Sequence, residues 1–271
     1  MPPKSAASMW DPQDKSWLAS RKPTKECLQR VRNDLKSLMK SPLDGIFAVQ
    51  DESVVTVVHA IVLGPADTPY EYGLFYFILD FPDDYPQNPP RVKLMTTGGG
   101  RVRFNPNLYA NGKVCLSILG TWSGPAWVPI HTLSSVLLSI QTLMSEKPYH
   151  NEPGFEAPNA LASNQYNDVI RHETVRVAVC EMVEDTSQNR LLPAQLRLLV
   201  RSLFPSFYDS YELTCQGYLH KDGQKMVDPF GEPRGTFDYA ALLKRLEKVR
   251  DALEAEGDDG GDDGGGKTAG L

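Results

Sequence analysis

Cysteine is scarce in this chain: Cys27, Cys115, Cys180 and Cys215 are the four among 271 residues, and they lie far apart. A chain of this length buries enough apolar surface to fold without covalent staples. The four therefore read as reduced thiols rather than as a disulfide framework. No Cys-x-x-Cys pair occurs, which removes the common sequence signature of a structural zinc site. Long apolar runs are missing as well. The longest, Val54 to Leu63, is broken by Thr56 and His59 and is about half the length of a membrane helix. Met1 to Ser20 mixes Pro, Lys, Ser and Asp without the apolar block of a secretory signal, so an intracellular setting is expected, cytoplasmic with the nucleus left open.

A basic excess is also absent, with 28 Lys and Arg against 34 Asp and Glu and a net charge of -6. Proteins that hold nucleic acid displace counterions with dense Lys and Arg, so neither nucleic acid nor membrane is an expected partner. Asp258, Asp259, Asp262 and Asp263 supply four of the negative charges, and the rest of the chain is nearly balanced. They lie in a run of Gly and Asp with nothing apolar to bury, so 257–271 is expected as a disordered acidic tail. The run lacks the ligand spacing and closing Glu of a calcium loop. What is present, 41% hydrophobic and 23% charged residues, is the balance of a folded, soluble protein.

Periodicity gives the elements. Residues 1–20 show none and read as a mobile arm, with Trp10 and Trp17 able to dock locally. From Thr24, the residues Leu28, Val31, Leu35 and Leu38 recur at spacings of three and four, a helix that ends before Pro42. Strand patterns follow at Val54 to Leu63, Leu74 to Phe81 and Arg91 to Thr97, joined by turns rich in Gly and Pro, which suggests an antiparallel meander. Residues 98–130 have little pattern but contain Trp122 and Trp127, so a long loop held down by aromatic burial is expected. Leu133, Leu137, Ile140 and Met144 mark another amphipathic helix. Helical patterns return at Gln165 to Val183, Leu191 to Phe204 and Tyr239 to Glu256. The fold class is α+β, and no internal repeat is found.

Within the long loop, Asn105-Pro-Asn107, Asn111-Gly112, Cys115-Leu116 and Trp122 stand in one order and spacing. That segment, with the proline-rich turn Phe81 to Pro90 before it, resembles the active site of ubiquitin-conjugating enzymes. The resemblance covers roughly residues 24–180. It implies that fold, an antiparallel meander flanked by helices, and transfer of ubiquitin through a thioester on Cys115 to a substrate lysine. It gives Asn107 the role of amide donor to the developing oxyanion. An Asn beside Pro in a turn also commonly bonds nearby main chain, so both roles stay open. The first helix of the family binds the activating enzyme, and Lys25, Arg30 and Arg32 fall on the matching stretch; a solvated face is the plainer reading. Gln87 and the pair Pro125 and Ala126 occupy the two ligase-docking loops.

The sequence departs from the family pattern in places. The usual His-Pro-Asn begins here with Asn105, Ser117 replaces an acidic residue after the cysteine, and the common acidic gate aligns near Asn151. A lysine amine has a pKa of about 10.4 and benefits from an acceptor. His150, Asn151 and Glu152 lie in the right neighbourhood, and His150 and Asn151 are the candidates for lysine activation. The resemblance further implies ubiquitin, an activating enzyme, particularly the second and less common one, a ligase and protein substrates as partners, with a tandem ubiquitin-like modifier as an open second cargo. It implies no metal or organic cofactor for the protein itself, since ATP and magnesium serve the activating enzyme.

The segments Asn151 to Glu156, Arg171 to Thr174 and Asp228 to Gly231 carry the resemblance on to an extended member of the family. The domain plan is therefore an arm over 1–20, a conjugating core over 21–182, an extension over 183–256 packed on the core, and the tail. Two rivals remain: a catalytically silent module of the same fold that binds ubiquitin or a ligase, and a Cys-dependent hydrolase with His131, His150 or His172 as base.

Overall fold

The computed structural model describes residues 9–259. Its centre is a four-stranded antiparallel sheet in the order β1 (Ile46–Gln50), β2 (Val57–Leu63), β3 (Leu74–Asp80) and β4 (Arg91–Leu94), the meander the patterns suggested. β1 is an addition: it is short and only half-buried, so its sequence lacks a clean alternation. β2 starts later than expected because Asp51 Oδ1 accepts from the backbone of Ser53 and Val54, each at 2.8 Å, folding those residues into the hairpin turn. β4 ends early, since Thr96 puts its hydroxyl, rather than its backbone, on the Tyr76 N–H at 2.9 Å.

Alternation along β3 separates two cores, because successive side chains leave opposite faces of a strand. Phe75, Phe77 and Leu79 join Val58, Ala60 and Val62 of β2 against α2 (Lys25–Lys40) and α3 (Leu133–Leu143). Leu74, Tyr76 and Ile78 face the other way, into a second core that they share with Val175 and Val179 and with residues of α7 (Ala194–Tyr218) and α8 (Tyr239–Asp259) such as Val200, Phe204 and Leu246. Every residue of β3 is buried. Each apolar side chain enclosed in this way contributes about 1.5–3 kcal/mol relative to exposure.

α2 is the expected first helix, with Thr24 as N-cap accepting from Cys27 N at 3.1 Å. Its Asp34 gathers three elements, taking hydrogen bonds from Arg30 of α2, Tyr85 of the proline-rich loop and Leu133 N at the start of α3. A long helix follows, α4 (Ala160–Glu173), continued through a π-helical stretch over Thr174–Cys180 and α5 (Glu181–Val183), then α6 (Ser187–Arg190). α7 runs well past the expected Phe204. Pro205 lies inside it on the exposed side, where a helix tolerates the missing N–H better than in the core.

The arm expected to be mobile is, from Met9 onward, tied to the sheet. α1 (Lys15–Ala19) is capped by Asp14, its Trp17 Nε1 donates to Asp80 Oδ2 at 2.5 Å, and Arg91 lies 3.6 Å over the Trp17 ring. Residues 1–8 of the arm lie outside the described residues, as does the acidic tail from 260 on; Gly257 to Asp259 form the end of α8.

Candidate active site

The loop before Cys115 folds back on itself through two bridges, Asn105 with Leu108 and Leu108 with Val114. Cys115 and Asn107 are then locked reciprocally: Cys115 N donates to Asn107 O at 2.9 Å, and Asn107 Nδ2 donates to Cys115 O at 2.9 Å. Asn107 is buried, so in this state its amide braces the cysteine backbone with one of its two N–H groups. Gly112 turns the loop at φ +89°, where an added Cβ would meet Leu94 O at 2.5 Å, so only glycine fits between loop and strand.

Asn105, which stands where the family has His, is completely buried and fully used. Its Nδ2 donates to Tyr70 Oη at 2.9 Å and to Leu143 O at 2.8 Å, and its Oδ1 accepts from Asn107 N at 2.9 Å. The carboxamide thus ties the active-site loop to the β2–β3 connection and to the end of α3. Asn151 joins the same cluster, with Nδ2 3.4 Å from Asn105 Oδ1 and 3.2 Å from Leu143 O. His150 shares a 2.7 Å hydrogen bond with Phe155 O through Nδ1 and meets the Tyr149 ring edge-on. Both sequence candidates for lysine activation are thereby engaged in holding the loops around the site.

Cys115 as a residue is only 2% exposed, and burial pushes the pKa of its thiol above the ordinary value. Lys113 and then Arg103 pull it down, while the nearby carboxylate of Glu152 raises it. Arg103 Nη2 holds that carboxylate at 2.9 Å and also donates to Pro106 O at 2.7 Å, with its guanidinium 4.4 Å over the Tyr109 ring. Sequence reasoning placed Glu152 in the neighbourhood without a role and missed Arg103, whose pairing partner lies 49 residues away.

The three basic residues of the first helix are placed differently. Lys25 and Arg32 are exposed, but Arg30 is turned inward, with Nε on Asp34 at 2.8 Å, Nη1 on Pro129 O at 3.1 Å and Nη2 on His131 O at 2.8 Å. Its contacts clamp α2 to the loop before α3. Gln87, Pro125 and Ala126 are all exposed, and the two loops carrying them are linked by Trp127 Nε1, which donates to Pro86 O at 2.7 Å. Trp127 thus holds the long loop as expected, while Trp122 is half-exposed.

No described histidine hydrogen-bonds Cys115. His131 accepts from Val128 N at 3.2 Å, and buried His172 lies between Glu173 Oε1 at 3.2 Å and Asp238 N at 3.0 Å. The arrangement lacks the thiol and imidazole pair of a cysteine hydrolase.

Comparison with known proteins agrees with this geometry. The family model described as ubiquitin-conjugating enzyme matches residues 30–174. Ubiquitin-conjugating enzyme E2 Z of Xenopus tropicalis is 52% identical over 248 residues, 91% of this chain and 78% of the relative. The Homo sapiens protein of that name is 52% identical over 257 residues, 92% of this chain and 72% of its own. A probable ubiquitin-conjugating enzyme protein 17 of Caenorhabditis elegans is 43% identical, but over 59% of this chain and 24% of its own length. The first two similarities thus run through the extension as well as the core. With a meander sheet, its flanking helices and a cysteine locked to an Asn-Pro-Asn turn, this chain belongs to the ubiquitin-conjugating enzyme family and is a ubiquitin transferase.

Proposed function

We propose that Cys115 accepts ubiquitin as a thioester from an activating enzyme and passes it to a substrate lysine, with a ligase supplying the substrate. The observation that carries this reading is the reciprocal lock between Cys115 and Asn107, which fixes the backbone of the cysteine against a side-chain amide. In the first step the Cys115 sulfur attacks the activating enzyme's thioester, one C–S bond forms as another breaks, and the proton of the thiol ends on the departing sulfur or in solvent. In the second, an unprotonated lysine Nζ attacks the carbonyl. The second N–H of Asn107 is suited to the oxygen on which charge develops, an effect worth a few kcal/mol where a donor is fixed in place. The C–S bond then breaks, the Cys115 sulfur leaves with the electron pair, and the amine gives a proton to Glu152, whose carboxylate Arg103 ties to Pro106 of the Asn-Pro-Asn turn.

In this reading the donor is the second, less common activating enzyme that the family resemblance implies, with a tandem ubiquitin-like modifier as an open second cargo. We place no metal or organic cofactor in the protein, with ATP and magnesium consumed by the activating enzyme. Its setting in this reading is cytoplasmic, with the nucleus left open, where four free cysteines stay reduced.

The test is a charging reaction with ubiquitin, ATP and magnesium and each activating enzyme, resolved on a non-reducing gel. Wild type is expected to show a thiol-cleavable adduct that Cys115→Ala lacks. One observation favours the silent binding module, namely that Cys115 is almost covered. Absence of an adduct with every competent activating enzyme would establish that reading.

A further inference from the structure

A short segment of the C-terminal extension reaches the catalytic loop. At its start Asp228 turns the chain, its Oδ1 accepting from Phe230 N at 2.8 Å. Its Oδ2 pairs with Arg234 Nε at 2.7 Å, and the two side chains are 0% and 3% exposed. Arg234 then reaches with Nη2 to Arg103 O at 2.8 Å. Between them Phe230 stacks on Tyr149 at 5.3 Å and 21°, and its centroid lies 5.8 Å from the Arg103 guanidinium. Arg103 is the residue that holds Glu152.

A buried ion pair is a poor way to gain stability, since desolvation of both charges consumes most of their attraction and an apolar replacement is often as stable. It does provide direction. The guanidinium is a rigid fork, and here one prong is set by a buried carboxylate while the other fixes one backbone carbonyl. We infer that Asp228, Phe230 and Arg234 form a positioning device for aminolysis: they fix Arg103, and through Arg103 the Glu152 carboxylate, where the incoming lysine amine needs an acceptor. The inference rests on the carrier reading above and extends it, making the extension part of the active site. Asp228, Phe230 and Arg234 touch no reacting atom and act as positioning residues.

The test uses the full chain charged with ubiquitin, and single-turnover discharge to free lysine and to hydroxylamine, an amine already unprotonated at neutral pH. The Asp228→Asn/Arg234→Gln double variant removes both buried charges together, so neither is left unpaired. It is expected to charge like wild type but to discharge to lysine about tenfold more slowly near pH 7. That deficit should shrink toward about pH 9.5, as more of the lysine loses its proton unaided. Discharge to hydroxylamine should stay within about twofold of wild type, and Glu152→Gln added to the double variant should cause no further loss. Equal losses toward both amines, a deficit independent of pH, or full additivity with Glu152→Gln would each overturn the inference. Should the double variant fail to charge, Phe230→Leu keeps the buried pair and is expected to show the same pattern more weakly; a wild-type profile for it would count against the inference. Failure of wild type itself to form a thioester would instead sink the carrier reading.

Discussion

At the scale of single residues, the site combines a covered thiol with a few charges that act on it. An ordinary cysteine, with pKa about 8.5, is only a few per cent thiolate at neutrality, and burial lowers that fraction at Cys115 further. The rate of charging is therefore expected to climb with pH through the neutral range and to level off only above the raised thiol pKa. Lys113 is the strongest of the charges that oppose the shift. Lys113→Gln should raise the thiol pKa again, slow charging about two- to threefold near pH 7, and match wild type once the pH exceeds both values. Single-turnover charging against pH checks both the sign and the closing of the gap. Cys115 and Asn107 were legible in the sequence because their motif is local. The task of Asn105 was not, since Tyr70 and Leu143 approach it from opposite directions in the chain. The pairing of Glu152 with Arg103 was not legible either, nor was the engagement of His150 by Phe155 O and of Asn151 by Leu143 O, because proximity in sequence says nothing about which way a side chain turns.

Among the elements, the β2–β3 connection supports the site from below, because its Tyr70 receives Asn105 and donates through Oη to Phe104 O at 2.7 Å. That connection is closed at Gly64, which donates to Gly73 O at 2.9 Å and accepts from Tyr72 N at 2.9 Å. A Cβ on Gly64 would lie 1.8 Å from Tyr70 O, a clash with main chain that no rotamer relieves. Gly64→Ala is expected to cost about 3 kcal/mol, at the upper end for overpacking, visible as a lower urea midpoint. Lysine discharge should fall with it if Tyr70 shifts. Helix α2 and the strand alternation were readable in the sequence, as local spacing decides them. The length of α7 was not, because a proline looks like a helix end until the fold shows that it faces outward.

For the whole molecule, the extension covers a sheet face that would otherwise be apolar and open, with Ile61, Leu74, Tyr76 and Ile78 packed beneath it. A truncation after Val183 is expected to leave this face bare, giving a protein that binds hydrophobic dyes, aggregates at micromolar concentration and loses cooperative unfolding. Dye fluorescence and size-exclusion chromatography report the outcome directly, and a soluble, monomeric truncation would show that the core stands alone. By itself the sequence determined the α+β class, the order of the main elements and the segment that resembles the family's active site, because helical and strand periods and the motif around Cys115 are written within short stretches. Only the tertiary structure decided that α7 and α8 join the core on the second face of the sheet, and that Arg234 reaches Arg103 across 131 positions. Apolar burial has no direction of its own, so an amphipathic helix announces that it has a partner without saying which one. An ion pair between distant residues has meaning only once the backbone has brought them together.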